Sequence, residues 1–89
     1  MNMKRAALIK KINKVIPEAK AVPSEEFGWD KGAILFLGSD GGYVEETGAP
    51  IFDYYRICGW DVNPTLEEIL EEAGWFAEPN DPGTLFAYN

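Results

Sequence analysis

The sequence predicts an α+β domain: a small antiparallel sheet of three or four strands in two hairpins, with two main amphipathic helices packed on one face. Three observations carry this. Residues 4–16 and 64–73 repeat their apolar side chains at helical spacing. Short apolar runs elsewhere are bounded by glycine, proline and aspartate, the punctuation of strands and turns. The connections are mostly too short for parallel crossovers, so the sheet is antiparallel.

Taken in order, KRAALIKKINKVI over residues 4–16 places Leu8, Ile9, Ile12, Val15 and Ile16 within an arc of about 120°. Lys4, Lys10, Lys11 and Lys14 fill the opposite arc, and Pro17 stops the helix. Ala19 to Val22 reads as a short strand ended by Pro23, and Ala33 to Leu37 as a continuous apolar strand between Gly32 and Gly38. Ser39-Asp40-Gly41-Gly42 is turn chemistry, with Tyr43 to Glu46 returning as the hairpin partner. Residues 50–58 match a short helix, with Ile51, Tyr54, Tyr55 and Cys58 on one side, Pro50 at the start and Gly59 at the end; a strand fits them less well.

The second long helix, 64–73, puts Leu66, Ile69, Leu70 and Ala73 in one arc and glutamates in the other. Asn63 before Pro64 is a cap-plus-first-turn pair, Thr65-x-x-Glu68 is an alternative capping box, and Gly74 is the stop. Trp75 to Glu78 and Thr84 to Tyr88 close the domain as a hairpin around a Pro-Gly turn.

One domain is expected from 89 residues with no linker or repeat. Its core is thin, because a chain of this length buries only about 60–65% of its unfolded surface. The aromatic residues therefore matter: turned inward they build the core, and turned outward they mark an interface.

Composition excludes much chemistry. With no histidine and a single cysteine there is no Ser–His–Asp triad, no Cys–His dyad, no intrachain disulfide and no histidine- or cysteine-rich metal site. Cys58 is expected to be a small buried apolar residue. The longest apolar run, Ala33 to Leu37, is far below the roughly 18 residues that span a bilayer. Lys10, Lys11 and Lys14 occupy the place of a leader's apolar segment, so a cytoplasmic setting without membrane contact is the expectation. The glycine-rich Gly38–Gly42 lacks the Lys-Ser/Thr of a phosphate loop and is expected to be a turn. No cofactor, metal or catalytic residue is assigned.

Charge is the functional clue. The net charge is −7. Residues 1–31 carry seven basic and four acidic side chains, a balance of +3, whereas residues 32–89 carry one basic and eleven acidic, a balance of −10. The second helix shows Glu67, Glu68, Glu71 and Glu72 without a lysine. Like charges at i,i+3 and i,i+4 cost roughly 0.2–0.5 kcal/mol each, and Glu71 and Glu72 lie at the negative end of the helix dipole. The plain account is solubility. The sharper account is a basic protein partner, with Glu45, Glu46 and Asp61 extending the acidic face and Tyr54 and Arg56 adding the residue types of interface hot spots. A row of carboxylates can also imitate the phosphates of nucleic acid. Direct nucleic-acid binding is not expected from so acidic a chain. A monomer or weak homodimer is expected. The alternatives are a small enzyme using Asp40, Glu45, Glu46 and Asp53, with or without a divalent metal, and an assembly subunit.

Phe52-Asp53-Tyr54-Tyr55, a following helix, Gly74-Trp75-Phe76-Ala77-Glu78, Asp81-x-Gly83-Thr84 and a terminal aromatic resemble small uncharacterised accessory proteins of phages and prophages. The resemblance covers roughly the last forty residues. It implies an accessory role in a mobile element and carries over no catalytic residue.

Overall fold

Leu8 and Ile12, both fully buried, fix the inner side of the first helix, α1 (Arg5–Val15). The computed structural model describes this helix within residues 3–29 and 32–89; Asp30 and Lys31, counted in the charge balance, lie outside the described residues. Lys14 sits in the last turn of α1, where a cation meets the negative end of the dipole. Pro17 then starts a 3-10 turn over Pro17–Ala19. Strand β1 (Ala21–Pro23) follows that turn, so the strand expected at 19–22 begins later. The Asn13 side chain donates to Ala21 O at 2.9 Å and accepts from Ala21 N at 2.8 Å. It takes the place of a neighbouring strand on that edge, satisfying backbone groups that would otherwise be open.

The sheet is antiparallel throughout. Its other strands are β2 (Ile34–Phe36), β3 (Phe76–Asp81) and β4 (Thr84–Tyr88), in the spatial order β1-β2-β4-β3. Val22 lies opposite Leu35, Leu35 opposite Phe86, and Phe86 opposite Glu78. The second helix is α2 (Pro64–Glu72). Two helices with a four-stranded antiparallel sheet make the fold α+β, as the sequence predicts.

Alternation along the strands sorts the core into two clusters. Ile34, Phe36, Leu85 and Ala87 join Leu8, Ile12, Leu66, Ile69 and Leu70 from the helices in the larger one. Ala33, Leu35 and Phe86, from alternate positions, form the smaller, with Val22 and Tyr88 against it. Trp75 ties the helix ends together: its Nε1 donates to Met3 O at 3.0 Å, while Met3 N donates to Ala73 O at 3.0 Å.

Two sequence expectations fail between β2 and α2. The hairpin of 33–37 with 43–46 does not form, because both edges of β2 are already taken by β1 and β4. Residues 43–50 instead fold back on themselves: Tyr43 makes an isolated bridge with Pro50, and Val44 N donates to Ala49 O. The helix at 50–58 is also absent. Phe52 bridges Val62, and Asn63 N donates to Ile51 O, so the chain there is extended and paired. Aromatic and β-branched residues are weak helix formers, and cross-chain pairing overrides their spacing. Of the four residues expected on one helical face, only Ile51 is buried. Cys58, expected inside, is exposed.

Gly38 shows how tightly this region packs on the rest. A Cβ there would collide with the carbonyl oxygen of Glu18, so only glycine lets the turn after β2 approach the turn after α1.

Candidate functional site

Asn63 sets the orientation of α2. Its Oδ1 accepts from Thr65 N at 2.9 Å and from Leu66 N at 3.4 Å, and its Nδ2 donates to Pro50 O at 3.0 Å. Asn63 is therefore the N-cap, rather than the alternative capping box from Thr65. With Leu66, Ile69 and Leu70 turned into the core, Glu67, Glu68, Glu71 and Glu72 are all exposed. No base lies in the last turn of α2, and the salt bridge found among the described residues is elsewhere, Arg5 to Glu25 at 2.6 Å. That guanidinium, donating to the carboxylate, holds Glu25 down from 4.5 to about 2.

The other acids named from sequence go to different places. Glu45 borders a cleft of about 430 Å³ together with Glu18, Lys20, Asp40 and Tyr43. Its backbone N–H donates to Glu18 Oε2 at 2.9 Å, which lowers the Glu18 pKa. Lys20 interleaves a positive charge among these carboxylates. Glu46 borders a second groove, also about 430 Å³, between the end of α1, residues 44–49 and the start of α2. Asp61 is half-buried and accepts from Val62 N at 2.8 Å, so its carboxylate is engaged with its own backbone.

Residues 53–61 form a loop between the paired Phe52 and Val62. Asp53 organises it. Its Oδ2 accepts from Cys58 N at 3.0 Å, its O accepts from Arg56 N at 2.9 Å, and its N donates to Asp61 O at 2.6 Å. The Cys58 amide holds the Asp53 pKa below its ordinary value. Arg56 lies in the left-handed region at φ 57, an uncommon conformation for an arginine. Tyr54 packs edge-on against Phe52 and Tyr55, at 6.1 Å and 5.3 Å between ring centres. Tyr55 is 71% exposed and Ile57 87% exposed.

A further surface was not singled out from sequence. On the smaller-cluster side of the sheet, Trp29 stands edge-on to Phe86 at 5.0 Å, Phe86 contacts Tyr88 at 6.1 Å, and Tyr88 contacts Phe76 at 6.1 Å. Trp29 and Phe76, at the ends of this row, are about half exposed. The signal was present in Thr84–Tyr88, where Phe86 and Tyr88 alternate with the core residues Leu85 and Ala87.

Among the described residues, no group of three or more Cys, Asp or Glu is arranged to hold a metal ion, and no helix is long and apolar enough to cross a membrane. No family model matches the chain, and neither a curated protein nor a solved structure matches it. The arrangement offers exposed carboxylates on α2, exposed aromatic rings on the sheet and on loop 53–61, and two clefts.

Proposed function

We propose that this protein is a small binding protein that engages a basic partner protein through the acidic face of α2, as an accessory factor of a phage or mobile element. One observation carries the proposal. Glu67, Glu68, Glu71 and Glu72 are exposed together on a nine-residue helix, and none has an ion-pair partner among the described residues. Helix stability favours lysine or arginine in the last turn, so Glu71 and Glu72 sit against the local preference, and the like-charge spacing of the four adds to the cost. A cationic partner turns that cost into attraction and speeds encounter.

Nucleic-acid mimicry is the narrower form of the same proposal. Five residue steps along α2 span about 7.5 Å, so its four carboxylates come about every 2.5 Å, against about 1.7 Å per charge along duplex DNA. The density is comparable, but the row is short, since proteins that grip DNA neutralise roughly 6–10 phosphates.

The test is recovery of a partner from host lysate over a salt series, using the wild type and a variant with all four glutamates changed to glutamine. The expected result is partner capture that weakens with salt and falls about tenfold or more in the variant. Equal recovery by the two proteins removes the acidic helix from the mechanism.

A further inference from the structure

We propose that the chain forms a two-fold homodimer in which the tip of loop 53–61 of each copy inserts into the groove between α1 and α2 of the other. Two independent features of the molecule point to each other.

The first is the tip. A loop end normally shows polar side chains to water, yet this one shows Tyr55 and Ile57. It is not a slack segment. The hydrogen bonds of Asp53 close it, and a further one runs from Gly59 N to Arg56 O at 3.0 Å. Arg56 is held at φ 57, which for a side chain other than glycine is a strained conformation that the surrounding bonds enforce. A preorganised loop that exposes apolar side chains loses little entropy on binding.

The second feature is the groove bordered by Glu46. Its walls are largely apolar: Val15, Val44, Ala49, Trp60 and Pro64, with Val15 left 52% exposed although it belongs to the apolar arc of α1. Its volume of about 430 Å³ falls within the range of sites that enclose small ligands. Loop 53–61 contributes Trp60 to the groove, but Ile57 at its tip stays 87% exposed, so the chain does not fill its own groove.

Charge decides the occupant. Arg56 is the one basic residue in 32–89, and it sits between the two exposed apolar side chains. Glu46 is the one charged residue bordering the groove. Apolar tip meets apolar walls, and guanidinium meets carboxylate. Trp60, from the same loop as the tip, lines the groove; a two-fold axis lets both tips and both grooves engage at once, and such a contact closes as a dimer rather than growing into a filament. The aromatic row on the sheet lacks this match: the charged residues of its strands, Glu78 and Asp81, are both acidic, and neither strand carries a cation to answer them. Each tip carries one aromatic side chain, and such a side chain covers roughly 150–250 Å² when buried, so the two reciprocal insertions make an interface well below the standard size of about 1,600 Å². The net charge of −7 on each copy opposes association, so a weak dimer is expected.

The dimer does not rest on the acidic helix or on any partner protein, and the experiment uses the purified full chain alone. Sedimentation velocity from about 10 µM to 1 mM should show a monomer–dimer equilibrium. Glu46→Arg and Arg56→Glu should each raise the dissociation constant about tenfold or more, and the double exchange should restore it to within about threefold. Ile57→Asp should leave a monomer. All three positions are exposed, and circular dichroism checks that each variant folds. Amide shifts on dilution should centre on residues 54–57 and on the groove. A chain monomeric at 1 mM overturns the proposal, as do single exchanges without effect, a double exchange that does not restore association, or dilution shifts that map to Trp29, Phe76 and Tyr88.

Discussion

Residues 64–88 and residues 38–62 are of equal length and feed one core, but they are held together differently. The later stretch is regular. A side-chain cap opens α2, the left-handed Gly74 at φ 79 follows it, and β3 and β4 pair through a two-residue turn. Most of its backbone groups find partners within α2 or along the ladders that join β4 to β3 and β2. The earlier stretch has no helix longer than a single 3-10 turn. Its N–H groups reach across loops, from Val44 to Ala49, Ile51 to Gly42, and Asp53 to Asp61, or end on side chains such as Glu18 and Asp53. Yet Ile51, Phe52 and Val62 lie in the same cluster as Leu66, Ile69 and Leu70. Regularity and burial are therefore separate properties here, and the irregular half is part of the core rather than a decoration on it.

The largest expected effect tests that directly. Leu70 and Ile51 are both fully buried, one from each stretch. Leu70→Ala and Ile51→Ala should each cost about 2–5 kcal/mol, within one cooperative transition. Thermal or denaturant unfolding followed by near-ultraviolet circular dichroism reads both. A cost below about 1 kcal/mol for Ile51→Ala would make 38–62 an appendage and end the comparison.

A smaller effect sharpens it at a hydroxyl that joins the two stretches. Ser39 Oγ donates to Phe36 O at 2.7 Å and accepts from Leu85 N at 3.2 Å, with Gly83 O also in reach at 3.1 Å. It stands where β2 has ended and β4 still needs a neighbour. Ser39→Ala leaves the buried Leu85 N–H unpaired, at about 1–3 kcal/mol, or roughly 4–8 °C of melting temperature per kcal/mol in a domain this size. Faster hydrogen exchange at Leu85 than elsewhere in β4 would locate the loss.

The same contrast explains what the sequence makes legible. Both long helices, the Asn63 cap and the hairpin around Pro82-Gly83 follow from neighbours within a few positions, and the structure has them. The partner of β2 does not: Tyr43 to Glu46 has acceptable strand character, but the edge it would need is filled by Phe86 and Ala87, some fifty residues away. The spacing of Ile51, Tyr54, Tyr55 and Cys58 is helical by arithmetic, and the pairing of Phe52 with Val62 overrides it. Of the residues expected to bind a partner, the four α2 glutamates were legible as one exposed face because helix geometry places them. Where Glu45, Glu46 and Asp61 would lie depended on loop paths that no local pattern encodes. The aromatic row of Trp29, Phe86, Tyr88 and Phe76 needed the strand order.

The smallest effect compares two aspartates that do similar work, one in each stretch. Asp81 closes the two-residue turn and accepts from Gly83 N at 3.0 Å; the Thr84 side chain, then that amide, lower its pKa. Asp53 closes the nine-residue loop and is lowered chiefly by the Cys58 amide. For both, the folded value lies below the ordinary 3.8, so the stabilisation is present above that pH and disappears as pH falls through the folded value. The amide shifts of Cys58 and Gly83 should therefore titrate with inflections below 3.8. Their consequences should differ. The hairpin keeps its pairing of Phe76 with Tyr88 and Glu78 with Phe86 after Asp81 is protonated, so only the turn moves. The loop has no ladder behind it, so protonating Asp53 should also shift Ile57 and Gly59, and Asp53→Asn should reproduce those acid-end shifts at neutral pH. An inflection for Cys58 at 3.8 or above would mean that the carboxylate does not hold the loop, and the tip that carries Tyr55 and Ile57 would then lack the preorganisation that dimerisation needs.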